Sequence, residues 1–109
     1  MKRQFIETNI FAKHWKALNL DDDDLLRLQN ELMANPNIGD IMVGTGGARK
    51  VRFALPGTGK SGGTRVIYVD VVHDKQIYLL LCYAKAKQEI LTSEQTQALK
   101  ALIKSIKED

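Results

Sequence analysis

Two segments rich in β-branched, aromatic and leucine side chains, TRVIYVDVV (64–72) and IYLLLCYA (77–84), are separated only by HDKQ. Four residues cannot hold a crossover helix, so the pair predicts an antiparallel hairpin. Both runs are apolar on both faces, as central strands covered from above and below would be. That requirement constrains the rest of the chain, which must supply a layer for each side of the sheet.

The flanking sequence supplies them. QFIET near the start reads as a short strand, and TNIFAKHWKALN as a helix with Phe11, Trp15 and Leu18 on one face. A second helix begins within DDDD, Asp21 to Asp24, because carboxylates cap free N–H groups and favour the dipole at a helix start. Leu25, Leu28 and Leu32 form its apolar stripe, and NPN with Gly39 ends it. RKVRFAL (49–55) alternates as a strand, with Val51, Phe53 and Leu55 on one face and Lys50 and Arg52 on the other. At the C-terminus, Thr92 and Gln95 have capping-box spacing before a helix whose Leu99, Leu102, Ile103 and Ile106 share a face. The predicted order is β-α-α-β-β-β-α. This is an α+β fold, a small twisted antiparallel sheet with two N-terminal helices and a C-terminal helix, in a single domain over residues 1–109.

Charge is distributed unevenly along this frame. Residues 49–88 carry 8 basic and 2 acidic side chains, whereas 1–48 carry 5 and 7 and 89–109 carry 3 and 4. A +6 balance within one contiguous block favours a polyanion-binding face. No apolar run approaches the roughly 20 residues that span a bilayer. MKRQFIETNI also lacks the apolar stretch and cleavage site of a signal peptide, so a cytoplasmic protein with no membrane partner is expected. Cys82 is the sole cysteine and reads as a small buried apolar residue. His14 and His73 have no partner at metal or triad spacing, and each reads as structural or solvent-facing.

ALPGTGKS, Ala54 to Ser61, nearly completes a nucleotide-binding P-loop, and VIYVD imitates the strand whose aspartate holds magnesium. The context excludes that reading. A P-loop must enter a helix whose first N–H groups meet the phosphate. Here Gly62 and Gly63 are followed by β-branched residues, and Asp70 comes only ten residues after Lys60. The segment reads as a connection between two strands, with Lys60 at its tip.

GTGGARKVRFALPGTGKSGGTRVIYVDV followed by YLLLCYAKAKQEILTSEQ resembles the RelE/ParE superfamily of bacterial toxins, particularly the HigB-like branch with its RKVR strand and GKSGGTRVIY segment. The likeness runs from FIET to the last helix. It implies the same α+β fold and a ribosome-dependent messenger-RNA endonuclease without metal or other cofactor. It also implies a type II toxin–antitoxin pair. The expected partners are a cognate antitoxin, the ribosomal A site and mRNA, and the antitoxin complex would bind its own promoter DNA.

Carried over position by position, the family's basic site falls on Lys50 and Arg52 of one strand and Arg65 at the start of the next, with Lys85 and Lys87 after Tyr83. Arg49, Lys60 and Lys87 extend the surface as RNA contacts. The RelE type carries a proton-transferring tyrosine whose aligned place here is near Thr92; the nearest aromatic hydroxyl is Tyr83. The family's arginine after the last strand is missing, and Ala86 stands close to its place. The expected catalytic set is thus Lys50, Arg52, Arg65, Tyr83 and Lys85. Guanidinium groups suit phosphoryl oxygens, and crowded lysines suit proton exchange. Lys50, Arg52 and Arg65 are expected to face away from Val51, Phe53 and Ile67, although Arg65 shares the parity of Ile67 and Val69. Two rival readings are a ParE-like DNA gyrase poison, which lacks this cationic set, and a non-catalytic basic RNA- or ribosome-binding module.

Overall fold

A computed structural model describes residues 2–54, 63–85 and 90–108. Five strands and three helices follow in the order β1 (Gln4–Glu7), α1 (Asn9–Ala17), α2 (Asp22–Ala34), β2 (Asp40–Ile41), β3 (Arg49–Phe53), β4 (Thr64–Val71), β5 (Gln76–Ala84) and α3 (Ser93–Glu108). The predicted α+β order is present, with one addition: the two-residue β2. The sheet runs β1-β5-β4-β3-β2. Strands β3 to β5 pair antiparallel as expected and β2 joins them antiparallel, but the sheet is not antiparallel throughout: β1 lies parallel to β5, with Gln4 opposite Gln76 and Glu7 opposite Leu79. The parallel edge is possible because β1 and β5 are separated by most of the chain rather than by a hairpin turn.

Each helix starts where its sequence can satisfy free N–H groups. Thr8 accepts from the Phe11 amide, Asp21 and Asp24 form a reciprocal capping box, and Thr92 and Gln95 form another at 3.1 and 2.9 Å. The four aspartates therefore begin α2, as the sequence predicts.

The sheet has two covered faces. Phe11 and Trp15 of α1 and Leu28 and Leu32 of α2 pack on Val51, Phe53, Val66, Tyr68, Ile77, Leu79 and Cys82. On the other side, Leu99 and Ile103 of α3 pack with Ile67, Val69, Leu80, Leu81 and Tyr83. A register shift beside Ile67 and Tyr68 lets Leu80 and Leu81 both join the α3 side. The β4–β5 connection is a 3₁₀ turn at Val72–Asp74, closed by Lys75 in the left-handed region.

The expected connection around Lys60 lies outside the described residues, as does Leu55. On its far side Thr64 opens a strand, not a helix, and Asp70 accepts two hydrogen bonds from Arg3 at 2.8 and 3.2 Å. The carboxylate that imitated a magnesium ligand thus anchors the N-terminal segment. No helix among the described residues is long and apolar enough to cross a membrane.

Candidate functional site

Alternation along β3 separates its residues between the two faces. Val51 and Phe53 enter the core under α1 and α2, so Lys50 and Arg52 must project toward the α3 side. They do so at the end of the sheet, where they line a cleft of about 180 Å³ with Arg65 and Asp40. Pairing explains the convergence: Arg52 stands opposite Arg65, and Asp40 opposite Lys50.

Arg65 requires a correction. It does not face away from Ile67; it shares that residue's face, and the residue is buried at 6% exposure. Strand parity prevails because β4 is already covered on both sides where it begins. Its Nη1 has no hydrogen-bond partner among the described residues. An unsatisfied guanidinium nitrogen in a cationic cleft is costly, and a bound anion would relieve that cost.

Tyr83 is in register with Arg65 on β5, so Arg52, Arg65 and Tyr83 form one row across three strands. The Tyr83 hydroxyl is buried. Lys85 follows directly after β5, half-buried, with its amide bonded to the Gly63 carbonyl. Arg49 is not brought into the cleft. Its side chain bonds the Gly39 carbonyl at 3.1 Å and acts electrostatically on Tyr68, a residue of the α1/α2 face. Its parity with Val51 dictates this. Lys60 and Lys87 lie outside the described residues.

Asp40 is the cleft residue the sequence reading missed. No motif surrounds it, and only the two-residue β2 places it beside Lys50. The position is heavily constrained from behind. The Tyr68 hydroxyl donates toward the carbonyls of Ile38 at 2.6 Å and Pro36 at 3.1 Å, and burial pushes that phenol up to about 12. Gly39 adopts φ +91°, and a Cβ there would collide with the Lys50 carbonyl oxygen.

A second depression, between α1, β5 and α3, is walled by Ile10, Leu80, Leu99 and Leu102, with His14 and Gln95 at its edge. His14 Nδ1 lies 3.1 Å from the Cys82 carbonyl, as a structural histidine would. Convergent charge occurs in the first cleft, where three cations can neutralise a phosphodiester and a lone carboxylate adds proton-accepting capacity.

The sequence matches the family described as RelE toxin of the RelE/RelB toxin–antitoxin system over residues 3–108. Among solved structures, the chain resembles a mutant of the E. coli toxin RelE in the free state. That likeness has a TM-score of 0.57 at 16% identity and covers 82% of this chain and 90% of the other. It shows a shared fold.

Proposed function

The chain belongs to the RelE toxin family, and from that premise we propose that it is the toxin of a type II pair that cleaves messenger RNA on the ribosome. The observation that supports this most directly is the convergence of Lys50, Arg52 and Arg65 on one cleft. RNA cleavage by 2′-OH attack on the adjacent phosphorus builds negative charge on the phosphoryl oxygens. Fixed guanidinium groups stabilise such charge without a metal, and a desolvated one acts more strongly than one in water. Arg65, held at the cleft floor, and Arg52 opposite it would grip the phosphate. Lys85 or Lys50 would exchange protons with the reacting oxygens, and Tyr83 would support the row from β5. The expected partners are the ribosomal A site with its mRNA and a small antitoxin that suppresses toxicity.

Primer extension on messenger RNA after brief induction in growing cells tests the reading. Discrete new 5′ ends within translated frames are expected, and they should vanish in the double variant Lys50→Ala with Arg52→Ala while its thermal transition persists. Intact message would overturn the proposal, and accompanying gyrase-linked DNA breaks would indicate a gyrase poison. The antitoxin requirement is tested separately. Soluble, folded protein expressed alone should arrest growth, and unchanged growth would count against it.

A further inference from the structure

Within the proposed endonuclease reading, on which this step rests, we propose that Asp40 is the general base that takes the proton from the attacking ribose 2′-OH. Three observations converge on it. Among the described residues, Asp40 is the one carboxylate lining the cleft formed by Lys50, Arg52 and Arg65. It makes no ion pair or side-chain hydrogen bond among the described residues, so its oxygens have no structural duty there. Yet its backbone is fixed from behind: Tyr68 holds the carbonyls of Ile38 and Pro36, Arg49 holds that of Gly39, and Gly39 packs too closely on Lys50 to carry a side chain. A two-residue strand anchored this firmly presents an exposed acidic side chain to a basic cleft.

The chemistry favours a carboxylate in this role. An aspartate is ordinarily ionised at neutral pH and so available to accept a proton, whereas a lysine must first lose one that it ordinarily holds to about pH 10. With Asp40 as acceptor, the cations are free to remain charged. Among the described residues, the groups facing it are Lys50 and Arg52 from β3 and Arg65 from β4, all cationic; Arg49 lies on the opposite face. Register puts Asp40 at the β2 edge of the site, while Tyr83 and Lys85 lie toward the β5 edge. Attacking and leaving oxygens lie on opposite sides of one phosphorus in an in-line displacement, so base and acid must sit within a few ångströms of each other. Lys50, directly opposite Asp40 and lining the same cleft, meets that demand, whereas Lys85 lies three strands away. In the step, the 2′-O–H proton moves to an Asp40 carboxylate oxygen as the 2′-O–P bond forms. The P–O5′ bond breaks, and the O5′ oxygen takes a proton from the Lys50 ammonium. The products are a 2′,3′-cyclic phosphate and a 5′-hydroxyl. Proton exchange with water then restores both side chains.

Single-turnover cleavage on mRNA-programmed ribosomes, with wild type and Asp40→Asn side by side, tests this. Asp40→Asn should cleave about 10²- to 10⁴-fold more slowly while binding the ribosome at least as tightly, since it removes a negative charge from the cleft. Its residual rate should rise about tenfold per pH unit between about pH 6.5 and 8.5 as hydroxide replaces the missing base, while the wild-type rate should rise far less steeply. Asp40→Glu should recover part of the rate. An Asp40→Asn rate within a few-fold of wild type overturns the assignment, as does a slow variant whose pH profile runs parallel to wild type. Wild type that leaves the message intact overturns the endonuclease reading itself, and this assignment with it.

Discussion

Arg52 and Arg65 stand directly opposite one another on the antiparallel strands β3 and β4, with Arg65 almost wholly buried. Like charges so placed repel, at a cost of about 0.2–1 kcal/mol for a cross-strand pair. A chain selected for stability alone would place an apolar residue at position 65, beside Ile67 and above Tyr83. Arg65→Met should therefore raise the thermal midpoint by about 1–6 °C and abolish growth arrest. A lowered midpoint would show that the guanidinium supports the fold.

Tyr83 occupies the same row but with its hydroxyl buried. A proton donor must reach the leaving oxygen, so this hydroxyl is poorly placed for transfer, while its ring packs with Leu81 and Leu80 in the α3-side cluster. Tyr83→Phe keeps that packing and should cleave programmed mRNA within a few-fold of wild type. A loss of about a hundredfold or more would make Tyr83 the acid–base residue and displace Lys50.

What the sequence made legible follows from the range of the forces involved. The β4–β5 hairpin, the helix start at Asp21 to Asp24, the capping box at Thr92 and the alternation of β3 depend on neighbours a few residues apart, and all are present in the structure. Arg49 carries a local signal of its own: its parity with Val51 sends it to the opposite face from Lys50. Arg65 carried conflicting signals, charge against strand parity, and parity prevailed. Asp40 gave no local signal at all. Two residues are too few for a periodic pattern, and the partner that brings Asp40 into the cleft, Lys50, comes ten positions later across the turn at Gly44 to Gly47.

Two buried acids should weaken the fold in alkali. Burial pushes the Cys82 thiol from 9.0 up to about 12, helped by nearby Glu7, and the Tyr68 phenol from 10.0 up to about 12. Above pH 9 the unfolded chain loses these protons while the native one keeps them, so unfolding becomes easier as pH rises. The stabilisation is complete below about pH 9 and disappears as pH approaches 12. Denaturant titrations should give constant stability from pH 7.5 to about 8.5 and a decline beyond, with Cys82→Ala declining less steeply between 9 and 10. At pH 8 the native thiol should resist iodoacetamide. Modification at the rate of a free peptide thiol would contradict its burial.

Gly39 and Gly44 allow the anchoring of Asp40 to be separated from backbone strain. Both have positive φ, +91° and +85°, so alanine is strained at either position. Only at Gly39 would the added Cβ strike β3, at the Lys50 carbonyl; at Gly44 it meets nothing within 4 Å. Both substitutions should destabilise by more than about 1 kcal/mol, read as a lowered thermal midpoint. Gly39→Ala alone should also displace β2 and slow cleavage, because Asp40 follows its neighbour away from the cleft. Gly44→Ala should keep near wild-type cleavage at temperatures where it is folded. Equal loss of cleavage in both variants would mean that activity tracks stability rather than the position of Asp40.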